Sequence, residues 1–504
     1  MFLFAQNKHI LLVVFALFLV SGVVVDETGK PIQNTIVKWQ NSEITTTTNE
    51  KGIFTLPKTK ELITKYKKIT AAKQGYYIGG IDLNKNPEAD KIILKDVSQR
   101  DHAAYVFKEN KFCEKCHPEI IREFRSDAHA QSAVNPLFLK FFNGVSKLGY
   151  KKDFPTTNGN CAACHVPVMA VNQAYNQDPN LAKGAAREGV SCDYCHKIKE
   201  AKVEHTGGYP GILSYALTRP SKDHQVFYGP LDDVFPSEDS YNPLYKESRY
   251  CAPCHNGTFW KTLVYSEYKE WEDSDYAKKN ITCQSCHMPA KPGYDRFALK
   301  NEGGLKRDPK TIASHKNLGI KDDLFMKEAI TLDVASLVED NKLYIKTVVS
   351  NTKAGHHYPT GNPMRNMLLL ISVKDKTGKE LSLVEGNTLP SWAGKGKVEL
   401  GNYAGLPGKG FAKILANASP YPSKKRRSDF SLIFPSPHWR PAYIQEDTRI
   451  PANGSDKSQY VFNMKNIKFE DVTVSVKLIY RRTFKNWQNM MGLALPDLVL
   501  AEKK

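Results

Sequence analysis

Outside five copies of one pentapeptide, the 504-residue sequence has no cysteine. That leaves no thiol for a separate disulfide framework, and a thioredoxin-like pair would occur once, beside a βαβ pattern. A structural zinc site joins two C-x-x-C pairs into one tetrahedron, so five pairs would leave one without a partner. Long apolar runs are missing as well. The uncharged run at residues 10–20 has eleven residues, against about 20 for a helix that crosses a bilayer. Acidic residues are in deficit, 53 against 71 lysines and arginines, giving a net charge of +18. Apolar residues at 41% and charged residues at 25% fit a packed, soluble protein, and the length predicts about three domains.

The pentapeptide is C-x-x-C-H. It occurs at Cys113, Cys116 and His117; at Cys161, Cys164 and His165; at Cys192, Cys195 and His196; at Cys251, Cys254 and His255; and at Cys283, Cys286 and His287. This spacing is the attachment signature of c-type haem. The two thiols add to the vinyl groups of the ring, and the histidine that follows ligates the iron. The expectation is therefore five covalently attached haem c groups. Each brings two propionates, so five haems offset roughly ten positive charges. No nucleic acid is expected as a partner; other redox proteins or an external electron acceptor are.

Taken in order, the chain predicts four segments. Residues 1–22 read as an export signal, with Lys8 and His9 ahead of the apolar run and Val20, Ser21 and Gly22 offering small residues for cleavage. Uncleaved, the same run would be the chain's membrane anchor. Residues 23–95 carry short β-branched runs separated by Gly, Asn and Pro, the pattern of an antiparallel β-sandwich. Residues 96–325 hold all five motifs among Pro, Tyr, Gly and Asn. Short helices, long loops and almost no sheet are expected there, because the haems supply the apolar surface that a core would otherwise provide. Residues 326–504 alternate again at 343–349, 367–373 and 472–480, with a turn at Asp375 to Lys379, and predict a second antiparallel β-sandwich. The run from Lys424 to Arg427 reads as a solvated basic loop.

Each low-spin haem also needs a second axial ligand, His or Met in most cytochromes c. Met288 adjoins His287 and cannot reach across the same ring, so bis-histidine ligation is predicted. Of fourteen histidines, His129, His224 and His315 are the leading distal candidates, with His205 and His102 next. His438, between Pro437 and Trp439, reads as structural. His129 ends a segment, 119–130, that as a helix would rise about 18 Å, so it is expected to reach a neighbouring haem and not its own. His356 and His357 lie between Gly355 and Pro359, where one of them either reaches a haem or both only hydrogen-bond within the loop.

Two resemblances add to this reading. The stretches S-G-V-V-V-D-E-T-G-K-P-I and T-N-E-K-G-I-F-T-L-P resemble the carboxypeptidase regulatory-like, transthyretin-like β module, which implies a spacer or adhesive unit. From Phe112 onward the chain resembles the multihaem cytochrome c family typified by the tetrahaem cytochrome of ammonia-oxidising bacteria. Six elements carry this: C-x-x-C-H followed by a short helix and S-x-x-H-A; Gly189, Val190 and Ser191 before Cys192; Tyr228-Gly229-Pro230; Ser266-Glu267-Tyr268-Lys269-Glu270-Trp271; Cys283-Gln-Ser-Cys-His-Met288-Pro289; and G-H-x-x-P-T-G from Gly355. Phe124 stands where that pattern more often has Trp. The last element implies that His356, not His357, is a distal ligand. The fifth haem and the N-terminal module depart from the tetrahaem prototype.

The function expected is an exported, periplasmic or cell-surface pentahaem cytochrome that passes electrons by hopping along closely packed bis-His haems. Self-assembly into filaments is compatible with it. Two alternatives stand beside it. One is an oxidoreductase with an open haem acting on a small nitrogen or sulfur compound. The other is an adhesive or scaffold protein with accessory haems.

Overall fold

A computed structural model describes residues 19–87, 90–146, 148–202, 209–222, 224–417, 433–465 and 467–504. Most of the predicted signal, His205 and the run from Lys424 to Arg427 lie outside the described residues. The chain forms two compact units. One comprises Met1–Tyr105 and Thr218–Pro243, the other Val106–Leu217 and Leu244–Lys504. Among the described residues no helix is long and apolar enough to cross a membrane.

The N-terminal segment of the first unit is built on seven strands among the described residues: β1 (Leu19–Asp26), β2 (Ile36–Trp39), β3 (Thr45–Thr47), β4 (Ile53–Pro57), β5 (Lys68–Ala72), β6 (Gly79–Asp82) and β7 (Lys91–Leu94). They form two sheets, in the orders β4-β1-β7 and β3-β2-β5-β6. Period-two alternation sends Phe54 and Leu56 of one sheet and Val37, Trp39 and Ile69 of the other into one apolar cluster. The turns follow from local side-chain chemistry. Asn49 Oδ1 accepts from Lys51 N and Ile53 N, both at 3.0 Å, and Gly52 supplies a φ of +71° where a Cβ would lie 2.5 Å from the Val24 carbonyl.

Three features differ from the sequence expectation. β1 pairs antiparallel with β4 but parallel with β7, Val23 opposite Lys91 to Asp26 opposite Leu94, so the sheet is mixed. β1 also begins at Leu19, and its first four residues pair with β4. A cut after Gly22 would remove them, including the buried Val20. Finally, residues 218–243, expected in the haem region, belong to this unit. Gln40 Nε2 donates to the carbonyls of Asp233 and Phe235 at 2.9 Å, Lys38 pairs with Asp232 at 3.1 Å, and Tyr77 Oη donates to the Gln225 carbonyl at 2.7 Å. Pairing between residues nearly 200 positions apart leaves no periodic trace in either segment.

In the second unit the motif-bearing stretches form helices of four to nine residues, such as Pro118–Ser126 and Pro136–Asn143. Proline opens both, where its missing N–H costs nothing, and Asn135 caps the second by accepting from Leu137 N and Phe138 N. Sheet is slightly richer here than expected: Ile198–Ala201 pairs with Tyr215–Leu217, and Gly257–Phe259 with Thr262–Tyr265.

The C-terminal part holds two larger sheets. One runs Ile330–Glu339, Lys342–Asn351, Ser455–Asn463, Leu383–Glu385; the other Ala442–Asp447, Gly408–Asn417, Asn366–Asp375, Val472–Arg481, Leu498–Lys503. Leu343, Ile345 and Phe462 of the first meet Met367, Leu369 and Leu478 of the second in one core. The opposite face of the five-stranded sheet is covered too: Leu368, Ile414 and Ile479 pack with Phe141, Phe142, Trp439 and Trp487. Burial on both faces explains why 367–371 is an unbroken apolar run.

Candidate haem sites

Each C-x-x-C-H motif is wound into about one helical turn. His117 N donates to the Cys113 carbonyl at 2.9 Å, and His165, His196 and His255 make the equivalent bond to Cys161, Cys192 and Cys251 at 3.0–3.1 Å. The fifth motif is the helix Cys283–His287. Positions i, i+3 and i+4 share one face of a helix, so each turn presents two sulfurs and one imidazole on the same side. The local fold thus follows from the spacing.

What readies these imidazoles for iron is the occupancy of Nδ1. His117 Nδ1 faces the Phe297 carbonyl at 2.9 Å, His165 the Ser132 carbonyl at 3.3 Å and His287 the Leu318 carbonyl at 2.5 Å. A carbonyl can only accept, so Nδ1 carries the proton and Nε2 keeps its lone pair. Burial reinforces the neutral form, pushing His165 and His287 down to about 4. Three of the predicted distal histidines follow the same rule. His315 Nδ1 meets the Ala313 carbonyl at 3.2 Å, His356 Nδ1 the His357 carbonyl at 2.9 Å, and His129 Nδ1 the Asp127 carboxylate at 2.8 Å. Asp127 is held in turn by Asn317 Nδ2 at 2.8 Å.

The pairing of rings tests whether iron fits between them. An iron ligated by two imidazoles sets their centroids about 6 Å apart, since each metal–nitrogen bond is about 2 Å and each centroid lies about 1 Å behind its nitrogen. His129 and His255 have centroids 6.2 Å apart, and His287 and His356 6.3 Å apart. The residues fit the group. The planes cross at 82° in the first pair and lie within 17° in the second. His315 lies close enough to His117 to feel its charge, though burial is the larger influence lowering its pKa. His129 accordingly meets the fourth motif and His315 the first. His196 stacks on Tyr245 with centroids 5.8 Å apart. His224 falls in the other unit with an exposed side chain, because the segment carrying it folds with the N-terminal strands. His102 is in that unit too.

The motifs also touch one another. Cys192 bears on the titration of Cys113, Cys283 on that of Cys251, and Cys164 on that of Cys254. These thiols stand where thioether sulfurs would be, at the ring edges. The first motif thus neighbours the third, and the fourth neighbours both the second and the fifth. Buried tyrosines fill the space around them: Tyr245 Oη and Tyr250 Oη both donate to the Cys195 carbonyl, at 2.6 and 3.1 Å.

Several functional groups escaped the sequence reading. Backbone carbonyls such as those of Phe297 and Leu318 carry no side-chain signal. Asp127 and Glu267 do, each being an acid close in sequence to a ligand or inside the S-E-Y-K-E-W element. Glu267 Oε1 lies 3.5 Å from His255 Nδ1, where a carboxylate raises the basicity of an axial imidazole. Glu267→Gln is expected to raise the reduction potential of one haem and leave the others in place. A redox titration with spectral deconvolution checks this, and an unchanged set of potentials would count against the assignment.

The comparisons bear on the same region. Residues 112–197, which contain the first three motifs, match the family cytochrome c554 and c-prime. In three dimensions the chain is similar to the penta-haem cytochrome c552 from Thermochromatium tepidum, with a TM-score of 0.55, 20% identity, and coverage of 78% of this chain and 98% of that one. The fold is shared with a pentahaem cytochrome. No curated protein matches the chain. The family match is confined to the first three motifs, and the structural match concerns the fold.

Proposed function

We propose that the chain is an exported pentahaem cytochrome c that passes electrons by hopping among closely spaced haems. The observation that carries this is the pairing of motif imidazoles, His255 and His287, with imidazoles from other segments, His129 and His356, at the spacing of bis-histidine ligation, with Nδ1 of both distal rings engaged. Haem supplies iron that cycles between ferric and ferrous states at little structural cost. The chain's own residues fix the rest. Cysteines locate the ring edges, proximal and distal histidines close both axial positions, and the carbonyls and carboxylates on Nδ1 set ligand basicity. The nearness of the motifs to one another supports short edge-to-edge steps.

The resemblance to the ammonia-oxidiser tetrahaem cytochrome and to a carboxypeptidase regulatory-like module belongs to the same proposal. The basic charge, offset by roughly ten haem propionates, suits an acidic redox partner or a charged extracellular acceptor. Assembly into filaments is compatible with it, and membrane attachment would run only through an uncleaved N-terminal segment. Purified protein is expected to carry an added mass of roughly 3 kDa, five thioether-linked haems, with low-spin ferric spectra. Fewer than five covalent haems in the intact mass would overturn the proposal.

A further inference from the structure

We propose that His438 is the sixth ligand of the haem carried by Cys161, Cys164 and His165, binding iron through Nδ1. The inference rests on the pentahaem reading and assigns a ligand to the one motif histidine, apart from His196, not already matched to a distal partner.

His438 differs from the other imidazoles in which nitrogen is left over. Its Nε2 lies 3.1 Å from Tyr265 Oη, while its Nδ1 is buried with no hydrogen-bond partner. Tyr265 Oη also accepts from Asn362 Nδ2 at 3.3 Å. Ligation through Nδ1 uses the tautomer in which Nε2–H donates to the phenol oxygen, a role a hydroxyl facing an imidazole can take. This is the mirror image of the tautomer in His117, His287 and His356. Buried polar atoms in folded proteins are almost always satisfied, so a ring nitrogen without a partner points to a group that completes it.

The surroundings identify that group. Trp439, next in the chain, belongs to the apolar cluster against which Cys161 packs. The same cluster receives Phe138, whose ring lies on His165 face to face at 3.8 Å and 1°. Tyr265, with its ring 5.6 Å from His438, senses both Cys164 and Cys161 in addition to its burial. The segment has little freedom to drift: Trp439 Nε1 and Arg440 Nε each lie 2.7 Å from Asp153 Oδ2, on the helix that precedes Cys161.

The test is spin quantitation by electron paramagnetic resonance on the ferric holoprotein, with haems counted by intact mass. Wild-type protein is expected to be low-spin at all five irons. His438→Ala should turn one iron in five high-spin at an unchanged count of five, and added imidazole should return it to low spin. His438→Met, the fallback if the alanine variant folds poorly, should stay low-spin and gain a sulfur-to-iron charge-transfer band in the far red. Tyr265→Phe should shift one low-spin signal without creating a high-spin one. His438→Ala with spin states unaltered from wild type overturns the inference, whatever the state of the haem at His196. Fewer than five haems in wild-type protein would instead overturn the pentahaem reading on which it rests.

Discussion

Replacing Glu270 with alanine is expected to destabilise the holoprotein by about 3–5 kcal/mol and to loosen the axial imidazole of His356. The carboxylate is 6% exposed and sits 2.7 Å from Arg449 Nη2 and 4.0 Å from Lys413 Nζ, both themselves buried. Burial opposes its charge, but Arg449 first and then Lys413 outweigh that and hold it down to about 2. Lys413 is pushed down to about 8, by burial and then by Arg449, with Glu270 working the other way. Without Glu270, Asp447, which Arg449 grips through Nε and Nη2 at 2.8 and 2.7 Å, would be the carboxylate left to offset the two cations, and Lys413 would tend to lose its proton. The same carboxylate accepts from His357 N at 3.1 Å and Thr360 Oγ1 at 3.2 Å, so it also anchors the loop that carries His356. The expected readouts are a lower urea midpoint and a high-spin signal from one haem, the one at Cys283 and Cys286. Glu270→Gln keeps an acceptor for the loop and should fall between alanine and wild type. Unchanged midpoint and spin state in Glu270→Ala would sink the argument.

That anchor also separates two adjacent histidines between which the residues alone left the choice open. His356 turns its Nδ1 onto the His357 carbonyl and its ring toward His287, whereas His357 lies against Glu270. The proximal half of every haem site was legible because C-x-x-C-H is a local device: one helical turn sets the geometry. The distal half depends on where distant segments return. His129 was readable as a ligand to some other haem from the reach of its helix, yet its meeting with His255 depends on the tertiary fold. His224 looked equivalent to His129 and His315, but residues 218–243 run back to the N-terminal strands. The sheets show the same division. Alternation and turn residues marked the strands of the C-terminal sheets, while the parallel pairing of β1 with β7 joins segments whose own patterns do not specify a direction. His438 was read as structural because a lone histidine beside tryptophan usually is, and an unsatisfied nitrogen is visible only in three dimensions.

Asp153→Asn is expected to cost about 3–5 kcal/mol, chiefly by leaving charge buried without its counterpart. Asp153 and Arg440 have side chains 7% and 2% exposed. Two guanidinium contacts, Nε at 2.7 Å and Nη2 at 2.8 Å, and the Trp439 indole at 2.7 Å all converge on this one carboxylate. Asparagine can still accept from one donor but brings no charge, so the guanidinium faces a neutral amide in an apolar setting. Because the penalty comes from the stranded partner, an apolar replacement of both residues, Asp153→Leu with Arg440→Met, should recover most of the loss. Chemical denaturation followed by far-ultraviolet circular dichroism reads both outcomes. A single variant within about 0.5 kcal/mol of wild type would place the pair among surface-like interactions that contribute little. The pair has a second consequence if His438 ligates iron. It ties the helix leading into the second haem motif to the strand connection that carries the ligand, so Asp153→Asn should broaden the low-spin signal that His438→Ala removes, while the double apolar variant, which restores packing but not direction, should restore stability without fully restoring that signal.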